Sequence, residues 1–413
     1  MKAVILSKSD TRGGAAVVMR RLMDALNAAG VDTRMLTLER REPHERVHRV
    51  VGRWRARWPF LLERLQIFLS NGRNRRDLFK ADTATFGLPL HRDPLIAEAD
   101  VVILGWVNQG MISLREIERI ADAGTPIYWV MHDMWCMTGI CHHAGSCDGF
   151  RGECGLCPLL GRKASPRDLS HRIWRRKRRF NSRVQVTYIA VSRWLAGRAR
   201  DSSLLRDARL EVIGNPIEVP RLRVRNLRGT GLKVLIAAAR LDDPIKGLPI
   251  LKDAAARLKL ANPALAGRLE FIACGALKDP DALKDFPLPI DYRGPQDLAG
   301  MEEAYREAHI VVSSSLYETL PGTLVEGQIY GAVPVAFDRG GQRDIIDDGL
   351  TGILCPFGGA DHTEASENLA QGIERAATLI AADYETLQRR MHASVEARFS
   401  PQAIAAAWLR LLG

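Results

Sequence analysis

The sequence predicts an α/β protein of two doubly wound units with parallel sheets, and three observations predict it. Short apolar runs alternate with helical patterns over nearly the whole chain. Those runs are continuous rather than alternating, as in strands covered on both faces. The alternation breaks once, in a Gly-, Pro- and Arg-rich connection over 211–231, and then restarts. A length of 413 residues is too great for one ordinary core and suits two domains.

The first run, Lys2–Leu6, leads into a Gly-Gly loop and a helix whose stripe of Val17, Leu22, Ala25 and Leu26 is closed by Gly30. Further strands read at Asp100–Trp106, Pro126–His132 and Val186–Ser192. Beyond the connection they read at Lys233–Arg240, Leu269–Gly275, Ile290–Gly294, His309–Ser315 and Val333–Asp338. The last segment, SPQAIAAAWLRLLG, opens with a Ser cap and a Pro at the first helical position. The expected division is an N-terminal domain over 1–215, a C-terminal domain over 216–395, and a helix over 396–413 that packs on either unit, with a return to the N-terminal one expected. In such a pair the strand C-termini face across a cleft.

The composition, 46% hydrophobic and 26% charged, is that of a soluble globular protein. The first residues, MKAVILSKSDTRGG, lack the apolar core of a secretory signal, and no run nears the roughly 18 apolar residues of a membrane span. A cytoplasmic protein is expected, where clustered cysteines are more often metal ligands or thiols than disulfides. The formal charge of +11 is uneven: residues 1–215 hold 37 Lys and Arg against 22 Asp and Glu, the remainder 22 against 26. Two clusters, Arg46–Arg76 and His171–Arg183, interleave Arg with Trp, Phe, Leu or Ile. That pattern fits a helix lying in an anionic membrane interface, so peripheral contact with the inner face of the plasma membrane is expected. A solvated basic face is the plainer alternative, and nucleic acid is not expected as a partner because no reader motif accompanies the charge.

The most specific stretch is SSSLYETLPGTLVEGQIYGAVPVAFDRGGQRDII, Ser313–Ile346. Glu318 falls on the loop after a strand and Glu326 eight residues later, inside the next helix. Between them TLPG places backbone N–H groups at a helix N-terminus, where an anion such as a diphosphate is favoured. Two surface glutamates flanking a capping turn would look the same, so the spacing alone says little.

With its surroundings this stretch resembles the donor site of family 4 retaining glycosyltransferases of the GT-B fold, the branch that builds bacterial exopolysaccharides such as colanic acid. The resemblance extends to GGAAVVMRRLMDALNAAG, VSRWLAGRARDSSLL, VIGNP, AAARLDDPIKGL and YRGPQDLAGMEEAYREAHIVVSSSLYE, in family order and over most of the chain. It implies two Rossmann-like domains and a nucleotide-sugar donor, with a UDP-sugar favoured. The acceptor would be a glycan or a polyprenyl-diphosphate-linked sugar. Carried over by position, Arg240 and Lys246 clamp the diphosphate, Glu318 holds hydroxyls of the transferred sugar, and Glu326 binds the ribose. The backbone of Leu320, Pro321, Gly322 and Thr323 meets phosphate oxygens, and Gly294, Pro295 and Gln296 lie near the base. Gly13 and Gly14 belong to a loop close to donor phosphate or acceptor, and His132, with Asp133 beside it, stands near the transferred sugar. Front-face attack assisted by the leaving phosphate is implied, with no catalytic metal or other cofactor.

After His132 the chain departs from the family. An insert over 136–158 holds Cys141, Cys147, Cys154 and Cys157 in the spacing C-x5-C-x6-C-x2-C, ending in one zinc-type knuckle. Structural zinc, free thiols and disulfides all remain open, with Cys136 and His142 as spare ligands. Two other functions compete. A nucleotide-sugar 2-epimerase would share the fold but not the YETLPGTLVEG pattern. A zinc-dependent protein that binds nucleic acid or another partner would leave Arg240, Lys246, Glu318 and Glu326 unexplained.

Overall fold

A computed structural model of the protein describes every residue except Val51, Arg76, Arg228, Ala360 and Asp361, together with all side chains but those and the ones of Arg53 and Trp54. The chain forms two compact units, one of Met1–Pro216 with Ile404–Gly413, the other of Ile217–Ala403.

The first unit is a seven-stranded sheet in the order β3-β2-β1-β4-β5-β6-β7, every neighbouring pair parallel. Its elements in chain order are β1 (Lys2–Ser9), α1 (Gly14–Ala28), β2 (Asp32–Glu39), β3 (Val47–Arg49), α2 (Arg53–Ser70), α3 (Pro94–Ala97), β4 (Val101–Leu104), α4 (Leu114–Asp122), β5 (Ile127–Met131), α5 (Leu169–Arg183), β6 (Val186–Ala190), α6 (Arg193–Asp201) and β7 (Arg209–Val212). The central strands are buried along their length, Val101–Leu104 and Ile127–Met131 among them, which is why they read as unbroken apolar runs. α1 starts at Gly13, whose φ of +92° a side chain would strain.

The second unit is a six-stranded parallel sheet, β10-β9-β8-β11-β12-β13. It is built from β8 (Leu232–Arg240), α7 (Leu248–Ala261), α8 (Pro263–Ala266), β9 (Leu269–Ala276), β10 (Ile290–Gly294), α9 (Leu298–Glu307), β11 (Ile310–Ser313), α10 (Gly322–Ile329), β12 (Val333–Phe337), β13 (Ile353–Cys355) and α11 (Thr363–Phe399), a helix broken at Asp383. Leu251, Ala254 and Leu258 of α7 and Leu369, Ile373 and Ile380 of α11 close one core over Val234, Phe271 and Val335. The last helix, α12 (Pro401–Leu412), carries Trp408, which is 1% exposed and meets Tyr128 of the first unit edge-on at 5.9 Å.

The basic stretch Arg46–Arg76 is not one helix: Val47–Arg49 joins the sheet edge as β3 and the helix starts only at Arg53. Val51 and Arg76 of that stretch lie outside the described residues. Ile67 of α2 packs with Leu169 and Ile173 of α5 and with Ile140, Cys157 and Leu160 in a small separate core. Two basic segments about a hundred residues apart are thereby clamped together through the Cys-rich insert.

That insert is also anchored by charge. His142 has Nε2 2.6 Å from Asp82 and Nδ1 2.7 Å from Asp133, so both ring nitrogens must carry protons. Burial opposes the charged ring, but the Asp133 and Asp82 carboxylates outweigh it and raise the His142 pKa to about 10. Asp133, which burial alone would raise, is held down at about 2 by His142. Asp82 also accepts from Arg64, and neighbouring Glu63 is pushed up to about 7 by burial and by Asp82 while it accepts the amides of Thr83 and Ala84, both at 2.8 Å. His142, a spare metal candidate in the sequence, therefore has both nitrogens committed to carboxylates.

Replacing His142 with Gln leaves the buried Asp133 without its cation and Asp82 with Arg64 alone, and should cost about 3–5 kcal/mol of unfolding free energy at pH 6. A group whose folded pKa is raised gives its full stabilisation below its unfolded value and loses it as pH climbs through the folded one. The deficit of the variant should therefore be largest below about pH 6.5 and shrink towards pH 10. Denaturant titrations at pH 6 and pH 9.5 measure it, and a deficit that does not change with pH would refute the charged pair.

Candidate active site

In an open parallel sheet ligands bind outside the strand C-termini, where the strand order reverses. Each unit has one such point, between β1 and β4 in the first and between β8 and β11 in the second. The residues singled out by the sequence gather at these two edges, and each is described within its own unit.

In the second unit Arg240 is the last residue of β8 and Lys246 ends a single tight turn, Pro244–Lys246. Arg240 donates to Asp243 Oδ2 at 2.7 Å and stands 3.5 Å from Asp242 Oδ1. The turn is tied to the β11 end three ways: Ser314 Oγ donates to the Lys246 carbonyl at 2.8 Å, Leu316 N donates to the Ile245 carbonyl at 2.8 Å, and Gly247 sits against the Ser314 carbonyl. A Cβ on Gly247 would lie 2.1 Å from that oxygen, and its φ of +67° adds strain for any side chain. So held, Lys246 Nζ reaches Glu318 Oε1 at 2.5 Å. From the other side Gly341 N donates to the Glu318 carbonyl at 2.9 Å, and a Cβ on Gly340 would lie 2.3 Å from the same carbonyl.

Beyond Glu318, Leu320 and Pro321 lead into α10, with Gly322 and Thr323 in its first turn. Pro321 at the cap brings no side-chain acceptor, so the helix's first amides suit an anion. Glu326, further along α10, accepts from Tyr305 of α9 at 3.0 Å, and Tyr305 stacks on Tyr330 at 6.0 Å. Gly294, Pro295 and Gln296 stand at the end of β10, where Gln296 Nε2 donates to the Arg293 carbonyl at 2.5 Å. Arg293 pairs with Glu307 at 2.8 Å and holds its carboxyl down at about 2. Lys246 and Glu318 thus touch directly, while Arg240, Glu326 and the Gly294–Gln296 loop occupy neighbouring strand and helix ends.

In the first unit Gly13, Gly14, Lys8 and Arg12 line a cavity of about 650 Å³ together with Phe60, Phe79, Trp106 and Gln109. Lys8 N donates to the Trp106 carbonyl at 3.0 Å, tying the β1 end to the β4 end. His132 follows β5 directly, partly buried, and burial holds its pKa down at about 4 against the pull of Asp133. It is therefore a neutral ring at pH 7, suited to hydrogen bonding rather than to carrying charge. Asp133 accepts from Trp106 Nε1 at 3.1 Å, which connects the cavity wall to the buried His142 chain.

The sequence reading missed Lys8, Trp106, Asp243 and Tyr305. Lys8, Trp106 and Tyr305 gain their meaning only from partners distant in the chain, whereas Asp243 stands three residues from Arg240 in the AAARLDDPIKGL stretch, where a signal was present.

Cys141, Cys147, Cys154 and Cys157 line one small cavity. Burial pushes the thiols of Cys141, Cys154 and Cys157 up to about 11, and all seven cysteines are free. Among the described residues no group of three or more His, Cys, Asp or Glu side chains is set to hold a metal ion.

Known proteins resemble the chain in both units. The model of glycosyl transferases group 1 matches residues 232–378, and that of Glycosyltransferase Family 4 matches residues 12–221. A D-inositol 3-phosphate glycosyltransferase of Kribbella flavida is 28% identical over 172 residues, 37% of this chain and 41% of its own. Escherichia coli WcaC, named as a glycosyl transferase of colanic acid biosynthesis, is 24% identical over 152 residues, 35% of each chain. The chain thus spans less than half the length of these curated relatives. Among solved structures, Anabaena HepE in complex with UDP and glucose superposes with a TM-score of 0.60 at 16% identity, over 100% of this chain and 99% of that one. Sucrose-phosphate synthase of Thermosynechococcus elongatus does so with a TM-score of 0.63 at 16% identity, over 100% and 98%. At such identity the structures speak for the fold alone, two Rossmann-like units of the GT-B type. The family model that covers half the chain settles its kinship: the protein belongs to glycosyltransferase family 4.

Proposed function

We propose that the protein is a retaining glycosyltransferase that moves a sugar from a nucleotide-diphosphate sugar to a glycan or lipid-linked acceptor in bacterial polysaccharide assembly. The observation that carries this reading is the second unit's edge: Lys246 against Glu318 at 2.5 Å, beside Arg240 and the α10 N-terminus. As the glycosidic bond breaks, negative charge grows on the diphosphate and positive charge on the sugar. Arg240, Lys246 and the α10 amides suit the first, and Glu318 suits the second. Glu326, oriented by Tyr305, is placed to accept ribose hydroxyls. The neutral His132 offers a hydrogen bond to the sugar or acceptor. A UDP-sugar is the favoured donor, supported by UDP in the HepE complex, and colanic acid biosynthesis by WcaC favours an exopolysaccharide product. Retention would follow from attack on the face the leaving phosphate occupies, with Glu318 stabilising the positive charge that develops on the sugar.

The protein would work at an anionic membrane surface. No helix among the described residues is long and apolar enough to cross a membrane. α2 instead exposes Trp58, Leu61, Leu62, Leu65 and Leu69, and α5, joined to it through Ile67, Leu169 and Ile173, exposes Arg172, Arg175, Arg176 and Arg179. Apolar side chains and arginines both suit the headgroup region.

Incubated with a panel of UDP-, GDP- and dTDP-sugars, the protein should release one nucleoside diphosphate. Lys246→Ala and Glu318→Ala should each lower that rate about a hundredfold or more, the usual cost of losing one charge-stabilising group. Full turnover by a correctly folded variant would refute the assignment. In flotation at low salt the protein should rise with vesicles rich in anionic lipid. At about 1 kcal/mol per Arg, replacing Arg175 and Arg179 with Ala should weaken binding about thirtyfold. Failure of the wild type to float would remove the membrane from the account.

A further inference from the structure

The first unit holds a feature that donor chemistry does not use. Beside the cavity of Gly13 and Gly14 lies a second one of about 690 Å³, sharing Lys8, Glu39, Phe60 and Gln109 with it. Its lining carries five cations, Lys8, Arg40, Arg41, Arg49 and Arg57, against the single carboxylate of Glu39. Glu39 is itself shared, 3.8 Å from Arg12 and 3.9 Å from Arg41. The nearby Asp10 carboxylate is taken up by the backbone amides of Arg41 and Glu42 at 3.0 and 3.1 Å.

Lys8 is the innermost of these cations. Its ammonium donates to Gln109 Oε1 and stands 5.4 Å over the Phe60 ring and 5.6 Å over the Trp106 ring. Among the described residues no carboxylate comes within 4 Å of it to form an ion pair. A half-buried ammonium that meets a neutral amide and two aromatic faces, with Glu39 the one carboxylate on its cavity, gains from an incoming anion. Phe60 is brought there by a close approach: Gly110, at φ +79°, lets the α2 backbone come so near that a Cβ would lie 2.4 Å from Phe60 N.

The charge count decides what the anion is. One carboxylate on a sugar would match the Lys8 ammonium alone, whereas a diphosphate brings two or more charges and several oxygens for the bidentate guanidiniums of Arg41 and Arg49. The surroundings decide what the anion is attached to. From Arg57 on the cavity rim, Leu61, Leu65 and Leu69 follow at four-residue steps along one side of α2, 51%, 51% and 54% exposed. At 1.5 Å per residue this apolar row runs about 18 Å from the rim.

We infer that this cavity binds the diphosphate of a lipid-linked acceptor, with Lys8, Arg41 and Arg49 on the phosphates and the Leu61–Leu65–Leu69 row of α2 along the hydrocarbon chain. This rests on the glycosyl-transfer reading only for the word acceptor; the binding itself needs no donor.

The test is calorimetric titration of the full chain carrying Lys246→Ala, so that the second unit's cations do not dominate, with three probes: farnesyl diphosphate, inorganic pyrophosphate and farnesol. Farnesyl diphosphate should bind at least about tenfold more tightly than either other probe. Lys8→Met, which keeps the stem, and Arg49→Gln should each weaken it about tenfold with the thermal midpoint unchanged. Leu61→Asp with Leu65→Asp should abolish the preference over pyrophosphate while leaving pyrophosphate affinity as it was. Pyrophosphate bound as tightly as farnesyl diphosphate would mean a free-anion site and overturn the inference. So would farnesol bound as tightly, or diphosphate affinity indifferent to both Lys8→Met and Arg49→Gln. Because no donor is present, loss of turnover in the donor-site variants and loss of binding here are separate outcomes.

Discussion

The donor-side edge of the second unit depends on one close seat, that of Gly247 against the Ser314 carbonyl. No side chain fits there, since a Cβ would approach the oxygen to 2.1 Å. Because the glycine fits, the turn after β8 is stitched to the end of β11 by Ser314 Oγ and Leu316 N, and Lys246 arrives at Glu318. A second pair of glycines, Gly340 and Gly341, closes on Glu318 from the β12 side. The backbones that carry the charged groups are thus placed by contacts between loops, and the Lys246–Glu318 ion pair closes between them.

The first unit reaches the same end by burying charge. Trp106 and His132 stand at strand ends, and both are tied to Asp133 or adjacent to it. Asp133 is set by His142, His142 by Asp82, and Asp82 by Arg64 of α2. A chain of alternating sign therefore runs from the cavity wall to the helix that carries Phe60 and the exposed leucines. The Cys-rich insert supplies His142 and Cys157 to this arrangement. Its cysteines line a cavity of their own, and its visible work is to join α2 to α5.

Fold class was legible, and so were the residues that gather at the second unit's edge, because each depends on local pattern. Fully buried parallel strands such as Val101–Leu104 and Val333–Phe337 leave unbroken apolar runs, and Gly-Gly and Pro-Gly pairs mark turns wherever they stand. What escaped depends on distance in the chain. Edge strands such as β7, mostly exposed, carry no apolar run, and β3 is three residues inside a basic stretch. His142 looked like a spare metal ligand because its carboxylates lie 60 residues before it and nine residues before it on another loop. Lys8 carries no signal of its own in the sequence, because Gln109, Phe60 and Trp106 come from elsewhere.

The central claim is that the Lys246 edge holds a nucleoside diphosphate whose sugar meets Glu318. Calorimetric titration of UDP, GDP and dTDP into the wild type, Lys246→Ala and Glu318→Ala tests it most directly. The account predicts that one of the three binds the wild type and binds Lys246→Ala about tenfold or more weakly. Glu318→Ala should bind it as tightly as the wild type or more so, because the carboxylate meets the sugar and its loss frees the lysine. Affinity that does not change in Lys246→Ala, or that collapses in Glu318→Ala, would contradict it.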